Sequence, residues 1–224
     1  LAKAKKIVVI EDAAEAHGAL YKGKPVGSIG DLSIFSFYGN KIVTTGEGGM
    51  VTTNDDKANA TLRILRDHGM DPKRRYWHTV LGYNYRLTSL QAAVGVGQME
   101  HVDQIIAAKL HIADLYKKGL SGIDGVILPA CAEWARNVYW LYSIVIDPKA
   151  FGHSRDELMQ LLKERDIDTR PFFPACHTQP IYQTGQKLPI SERLADCGMS
   201  LPSATDMHDE DIARVCDAIS DLRG

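Results

Sequence analysis

The run "KIVVIED", residues 6–12, constrains the fold more than any other stretch of the chain. Its four consecutive apolar residues do not alternate with polar ones, which is typical of a parallel strand covered on both faces. The preceding "LAKAKK" resembles the tail of a helix. The run therefore predicts an α/β architecture, and a strand of this kind needs neighbours that we do not expect this chain to supply.

Further elements follow at short intervals. "DLSIFSFYG" and "GGMVTTN" predict a second and a third strand. Asn54 is expected to cap a helix over "DDKANATLRILRDHG", which Gly69 ends in a left-handed conformation. Thr88 and Gln91 form a capping-box pattern at the head of a long helix, which we expect to extend to about Lys117.

The segment "GIDGVILPACAEWARN" has no clear periodicity and predicts a domain boundary. Beyond it we predict the strand "VYWLYSIVI", a helix capped by Ser154 with Glu157, the strand "IDTRPFF" and a final helix from about Met207. This alternation is typical of a small α+β domain. We therefore expect residues 1–120 to belong to a large domain with a mainly parallel sheet, and residues 121–224 to form the small domain.

Composition excludes several classes of function. The formal net charge of -2 argues against general attraction to nucleic acid or to an anionic membrane. The longest apolar runs are too short to span a bilayer and the first residues lack a signal-peptide pattern, so we expect a cytoplasmic protein. The cysteines are scattered without a CxxC pair, so we predict no metal site and reduced thiols that are mostly buried.

A lone lysine, Lys41, lies between the second strand and the glycine-rich turn in "SFYGNKIVTTGEGG". The ordinary interpretation is a solvated loop cation. Asp12, where the first strand ends, could simply cap a helix, and Ser36 could be a plain strand residue. Together, an acid, a hydroxyl and a lysine at the ends of adjacent strands are the groups that hold pyridoxal phosphate, with the lysine as the Schiff-base amine.

Four motifs carry a resemblance to a known family: "EDAAEAHG", "GDLSIFSFYGNKIVTTGEGGMVTTND", "LGYNYRLTSLQAAVGVGQME" and "TRPFFPACHTQPIY". In order and spacing they resemble the nucleotide-sugar aminotransferases of the DegT/DnrJ/EryC1/StrS family, most of all its GDP-perosamine-forming members. The resemblance covers nearly the whole chain. It implies a type I aminotransferase fold, pyridoxal 5'-phosphate as cofactor, and a homodimer with active sites at the subunit interface.

The resemblance also assigns roles to residues. It implies that Lys41 bonds to the cofactor, that Asp12 lies beneath the pyridine nitrogen and that Ser36 binds the phosphate. Glu15 matches a position beside the cofactor, although it could be an acid favoured by a helix N-terminus. Asn84 matches the residue that reaches the partner subunit's cofactor phosphate, and its alternative is a turn asparagine.

Four more residues are substrate-binding candidates. By resemblance, Arg170 and His177 fall where the family builds its sugar-nucleotide pocket, although a lone histidine is more often structural. Arg86 supports the interface or a phosphate, or forms a structural ion pair. Tyr76, in the basic stretch "KRRYW", could meet a diphosphate or a base, and the ordinary interpretation of that stretch is a solvated face.

The resemblance implies transfer of an amino group from glutamate to a 4-keto-6-deoxy sugar carried on a nucleoside diphosphate, with GDP ranked above UDP and dTDP. It also implies an N-terminal portion that precedes these residues in complete members, so we expect the chain to be the latter half to two-thirds of an enzyme. One alternative is a catalytically idle nucleotide-sugar binding or interface module. Another is a dehydratase-like relative, but such relatives have histidine in place of the lysine.

Overall fold

The computed structural model describes residues 1–182 and 185–224. The chain divides into two compact units. The first contains Leu1–Ile106 and Ala132–Trp140, and the second contains Ala107–Cys131 and Leu141–Gly224. Within the described ranges, no helix combines the length and the apolar character that crossing a membrane requires.

The strands are β1 Ile10–Asp12, β2 Leu20–Tyr21, β3 Lys24–Pro25, β4 Leu32–Ser36, β5 Gly49–Thr53, β6 Val126–Ile127, β7 Ala135–Arg136, β8 Tyr142–Ile146, β9 Arg170–Pro171 and β10 Gly198–Leu201. The α-helices are α1 Ala2–Lys5, α2 Asp56–Leu65, α3 Ser89–Glu100, α4 Val102–Leu120, α5 Pro148–Phe151, α6 Arg155–Lys163, α7 Pro189–Cys197 and α8 Asp209–Asp221. Short 3-10 turns cover Cys176–Thr178 and Pro180–Tyr182.

The main sheet of the first unit has the order β1-β4-β5. β1 runs parallel to β4, with Asp12 opposite Ile34, as the apolar runs predict. β4 and β5 are antiparallel, with Ser36 opposite Gly49. The expectation of a mainly parallel sheet is therefore met by only one of these two pairings, because residues 37–48 form a return loop and not the crossover helix that a parallel connection needs.

Among the described residues, the run "KIVVIED" is left largely uncovered, as expected of a strand whose covering neighbours this chain does not supply. Only its last three residues form strand β1, and Ile7, Val8 and Ile10 are 57%, 63% and 64% exposed. β1 is an edge strand of the described sheet, with β4 as its neighbour. Apolar side chains are thus left on the surface of the first unit.

Glu11 fixes the turn that leads into β4. Its carboxylate accepts hydrogen bonds from the N–H groups of Gly27, Ile29 and Gly30 at 2.6–2.8 Å, and one from Ser33 Oγ at 3.2 Å. Burial acts to raise the pKa of Glu11, but these donors outweigh it and the pKa lies below its ordinary value. The anionic form of Glu11 therefore belongs to the folded state.

Helix ends are partly as predicted. Asp55, and not Asn54, caps α2, because its Oδ1 accepts the Ala58 N–H at 2.7 Å. The capping box of Thr88 and Gln91 is confirmed at the start of α3. The single long helix expected there is wrong, since the backbone leaves helical geometry at His101 (φ -113°, ψ 9°) and α4 begins after it.

The second unit is built on an antiparallel sheet with the order β6-β8-β10-β9. Its core includes Tyr116 and Tyr142, which stack with ring centroids 4.8 Å apart. The Ser154–Glu157 capping box is confirmed at α6. The strand predicted over "IDTRPFF" is limited to β9, and the last helix begins two residues later than predicted.

The prediction that the cysteines are mostly buried is wrong. Cys216 is buried in α8, where it packs in the core of the second unit. Cys197 is half-buried, and Cys131 and Cys176 are exposed. Cys131 lies in an irregular segment and Cys176 begins a short 3-10 turn, and the sequence around them carries no helical or strand periodicity to indicate burial.

Candidate active site

The site is built at the carboxyl ends of two adjacent parallel strands. Asp12 is the last residue of β1 and Ser36 is the last residue of β4. Because β1 and β4 run parallel, their carboxyl ends lie at the same end of the sheet, and paired strands lie about 4.8 Å apart. Edges of this kind are where open α/β sheets place their functional groups.

Lys41 follows β4 in the loop that returns to β5. The next two residues, Ile42 and Val43, are buried and anchor the loop, and the Lys41 N–H donates to the Tyr38 carbonyl at 2.9 Å. Gly48 closes the loop with φ +145°, and a Cβ there would lie 2.7 Å from atoms of Leu87 and Thr45. The backbone around Lys41 is therefore fixed by packing on both sides.

The side chain of Lys41 is only 10% exposed, so the interpretation as a solvated loop cation is wrong. Its Nζ donates to Glu15 Oε1 at 2.8 Å. On another side, Nζ lies 3.6 Å from the centroid of the Trp140 ring. The indole Nε1 donates to the Asn40 carbonyl at 2.7 Å, which holds this ring in place.

His17 is a buried polar residue beside this group. Its ring lies 5.4 Å from that of Phe35 and 5.9 Å from that of Phe37, measured between centroids. Neither ring nitrogen has a hydrogen-bond partner among the described residues. Burial, together with the positive charge of Lys41, lowers the pKa of His17 below its ordinary value, so the imidazole is neutral at neutral pH.

The two strand-end residues are held by local contacts. Asp12 is exposed, and its Oδ1 accepts the Ala14 N–H at 3.1 Å. Ser36 is half-buried, and its Oγ accepts the Tyr38 N–H at 3.3 Å, which leaves its hydroxyl hydrogen to donate to another group. The structure thus gathers Asp12, Glu15, Ser36 and Lys41 at one sheet edge.

Three other candidates lie elsewhere in the first unit. Asn84 forms an isolated bridge with Asp67, and Arg86 Nε lies 3.3 Å from Asp67 Oδ1. Tyr76 is exposed, has φ +61° and lies beneath the guanidinium of Arg75 at 4.9 Å. None of these described contacts involves Lys41. Arg86 therefore has the structural ion pair that the sequence left open as an alternative.

Two candidates belong to the second unit. Arg170 is exposed in β9. His177 Nε2 lies 2.9 Å from Glu192 Oε1, and its side chain is 9% exposed. The hydrogen bond from His177, with a further one from the Leu188 N–H, lowers the pKa of the Glu192 carboxyl. This contact ties the turn at Cys176–Thr178 to α7.

Sequence reasoning missed His17 and Trp140. His17 belongs to the motif "EDAAEAHG", so the residues around it were available as a signal. Trp140 lies 100 residues from Asn40, its hydrogen-bond partner, and the sequence around it indicated only a strand. No local pattern connects this tryptophan with Lys41.

Comparison with known proteins identifies the family to which the chain belongs. The model of the DegT/DnrJ/EryC1/StrS aminotransferase family matches residues 1–220. The chain belongs to this family. The resemblance carried by the four sequence motifs is thereby confirmed.

Among curated members of the DegT/DnrJ/EryC1/StrS family, the GDP-perosamine synthase of Caulobacter vibrioides is 42% identical over 225 residues. That match covers 99% of this chain and 60% of the relative, so the chain spans about 60% of the length of such a family member.

Two solved structures of the family are similar to the chain along almost its whole length. DesV of S. venezuelae, in complex with a ketimine intermediate, has a TM-score of 0.90 at 33% identity, and covers 99% of this chain and 59% of its own. DesI, in the presence of its TDP-sugar product, has a TM-score of 0.89 at 32% identity, and covers 98% and 56%. The fold is that of the type I aminotransferases, as the sequence predicted.

Proposed function

We propose that the protein transfers an amino group from glutamate to a 4-keto-6-deoxy sugar carried on a nucleoside diphosphate, with pyridoxal 5'-phosphate bound through Lys41. The observation that carries this proposal is the Lys41 side chain, which is almost fully covered and paired with Glu15 at the strand ends of an aminotransferase-family fold. A covered amine at a sheet edge is unusual for a purely structural lysine. We rank GDP above UDP and dTDP because the first curated relative is a GDP-perosamine synthase.

The residues at the sheet edge fit pyridoxal phosphate by their chemistry. Lys41 supplies an amine for covalent attachment, Asp12 a carboxylate for a protonated ring nitrogen, and Ser36 a hydroxyl for a phosphate. Asp12 is exposed and Ser36 retains a hydrogen to donate, so both can meet a ligand. The unpartnered nitrogens of the buried His17 add polar groups to the same region.

When bound, this cofactor supplies an electron sink for the bond from carbon to hydrogen that must break in amino transfer. Lys41 first holds the cofactor covalently and then takes and returns a proton at the reacting carbon. Asp12 keeps a proton on the ring nitrogen by charge. Ser36 would hold the phosphate end, and Glu15, which contacts Lys41, would lie beside the cofactor.

The remaining site residues have proposed roles in partner and substrate binding. Asn84 serves the cofactor phosphate of a second copy in a homodimer, and its exposure in this chain leaves it accessible. Arg86 and Tyr76 bind substrate from the same exposed region. Arg170 meets the nucleotide sugar directly, whereas His177 acts through its pairing with Glu192. The cytoplasmic location stays a prediction.

A second candidate is a nucleotide-sugar binding or interface module without activity of its own. This alternative is favoured by an exposed apolar surface that needs a covering partner, formed by Ile7, Val8 and Ile10. The dehydratase alternative is disfavoured by the lysine at position 41.

The deciding experiment has two arms. Pyridoxal phosphate is added to the purified chain, the adduct is reduced with borohydride, and the labelled peptide is identified by mass spectrometry. Label on Lys41, lost in Lys41→Ala and kept in Lys118→Ala, supports the proposal, and label on another lysine contradicts it. Glutamate with GDP-, UDP- and dTDP-linked 4-keto sugars then tests the substrate, and amination of a UDP or dTDP sugar alone would overturn the ranking.

A further inference from the structure

The ammonium of Lys41 is held from two sides by residues far apart in sequence. Glu15 Oε1 accepts its hydrogen bond at 2.8 Å, and the Trp140 ring face lies 3.6 Å from Nζ. The ring cannot turn away easily, because its Nε1 donates to the Asn40 carbonyl. Only 10% of the lysine side chain remains exposed, so water contributes little to its solvation.

Both contacts act on the charged amine. A carboxylate attracts an ammonium by charge, and the face of an aromatic ring attracts it through the ring quadrupole. The neutral amine, which is the form that attacks a carbonyl carbon, gains little from either. Glu15 and Trp140 thus favour the form of Lys41 that does not react.

His17 is a second titratable group that interacts with Lys41 in the described part of the chain. Burial and the Lys41 charge lower its pKa, so the imidazole is neutral and adds no competing cation. Glu15 therefore faces Lys41 without a second positive partner in the described contacts. In its described contacts the Lys41 nitrogen thus meets one carboxylate, that of Glu15, and one aromatic ring, that of Trp140.

We propose that Glu15 and Trp140 are positioning residues whose contacts with the Lys41 nitrogen limit how fast it reacts with a carbonyl ligand. The proposal depends on the proposed function only for the identity of the carbonyl ligand, which is taken to be the aldehyde group of the cofactor. In the attachment, the ammonium gives one proton to solvent, the nitrogen forms a double bond to the aldehyde carbon, and the aldehyde oxygen leaves as water. The proton must leave first, and the contacts of the ammonium with Glu15 and with the Trp140 ring both oppose its departure.

The size of each effect follows from the exposure of the pair. Glu15 is half exposed, and a pair of this kind contributes enough to slow the reaction about two- to fivefold. A cation against the face of a half-buried indole contributes more, about threefold to tenfold. The two contacts share one ammonium, so we expect their effects to be less than multiplicative.

The test is competitive acetylation of the cofactor-free full chain with acetic anhydride at pH 8, read by peptide mass spectrometry. The neutral amine attacks the anhydride carbonyl, acetate leaves and one proton goes to the buffer. Lys118, which pairs with Asp114 on the exposed face of α4, is the internal reference. Glu15→Gln should raise Lys41 acetylation about two- to fivefold relative to Lys118, and Glu100→Gln, at the exposed end of α3, should leave this ratio unchanged.

Trp140 is tested with two variants. Trp140→Leu removes the ring face and should raise the relative acetylation of Lys41, whereas Trp140→Phe keeps an aromatic face and should restore most of the wild-type protection. Because Glu15→Gln alters no buried residue, it keeps the proposal testable if a Trp140 variant fails to fold. Unchanged or slower acetylation of Lys41 in Glu15→Gln would overturn the proposal, and slower acetylation would identify Glu15 as a base.

The attachment of pyridoxal phosphate is then followed by absorbance in the same variants. Faster attachment in Glu15→Gln extends the proposal from acetic anhydride to the cofactor. If acetylation is faster but no cofactor attaches to any variant, the proposed function fails and the role of the two residues stands. If cofactor attaches to Lys41 while acetylation is unchanged, the positioning role fails and the proposed function stands.

Discussion

Glu15 Oε1 lies 2.8 Å from Lys41 Nζ, although 26 residues separate the two in the sequence. Glu15 follows β1 and Lys41 follows β4, so the parallel pairing of these strands is what brings them together. The hydrogen bond therefore joins the two segments that carry the proposed cofactor site. It also gives Lys41 a partner before any ligand arrives.

Asp12→Asn should leave cofactor attachment largely intact and reduce amino transfer by about a hundredfold or more, because a neutral amide does not keep a proton on the ring nitrogen. The measurements are the borohydride-trapped label and turnover with glutamate in the loaded enzyme. Asp114→Asn, on the exposed face of α4, is the matched control. Unchanged turnover in Asp12→Asn would remove Asp12 from the mechanism.

Glu11→Gln should lower the free energy of unfolding by about 1–3 kcal/mol at pH 7, because three backbone N–H donors lose their anionic acceptor. The folded pKa of Glu11 lies below its ordinary value, so its contribution is complete above that ordinary value and is lost as pH falls through the folded pKa. Urea unfolding at pH 7 and pH 3.5 measures both effects. A difference from wild type that does not shrink in acid would contradict this account, and Glu100→Gln at the exposed end of α3 is the control.

The lowered pKa of Lys109 predicts that the free energy of unfolding rises with pH in the alkaline range. Burial lowers its pKa from 10.5 to about 8, while Nζ donates to the Ser203 carbonyl at 2.6 Å. Between those values the unfolded chain binds more protons than the folded one, so the free energy of unfolding rises with pH. The full difference corresponds to about 3 kcal/mol.

Lys109→Met should remove this part of the pH dependence. The measurement is urea unfolding of both proteins at pH 7.5 and pH 9.5, with the slope for Lys109→Met smaller than for wild type. Burial raises the pKa of the Tyr116 phenol above its ordinary value, but Tyr116 is present in both proteins, so its effect cancels in the comparison of slopes. Equal slopes in the two proteins would show that Lys109 keeps its proton over this range.

The purified chain should be at least a dimer. Ile7, Val8 and Ile10 expose an apolar surface at the start of β1 and just before it, and covering a few hundred Å² of such surface is worth several kcal/mol at about 25 cal/mol per Å². Light scattering measures the mass of the particles in solution. The double variant Val8→Ser with Ile10→Ser should weaken association, and Ile190→Ser, at an exposed position of α7, is the control. A stable monomer that binds pyridoxal phosphate and transfers amino groups unaided would contradict the prediction.

Local patterns in the sequence predicted much of the structure. The capping boxes of Thr88 with Gln91 and of Ser154 with Glu157 were identified because each spans three residues and depends on short-range hydrogen bonds. The break at His101 was missed, since the helical pattern continues across it. Asp55 and Asn54 are adjacent and chemically alike as caps, and the choice between them is made by the backbone geometry at the start of α2.

The sequence by itself determined the family, the type I fold and the placement of Asp12 and Ser36 at strand ends with Lys41 in the loop that follows, because motif order and strand periodicity are properties of the linear chain. Only the tertiary structure decided that Lys41 is covered and not solvated, since Trp140 and Glu15 reach it from distant segments. The same holds for the neutral, unpartnered His17, whose state depends on burial and on the nearby ammonium. Contacts between distant residues depend on how the strands and loops pack, and no local pattern encodes them.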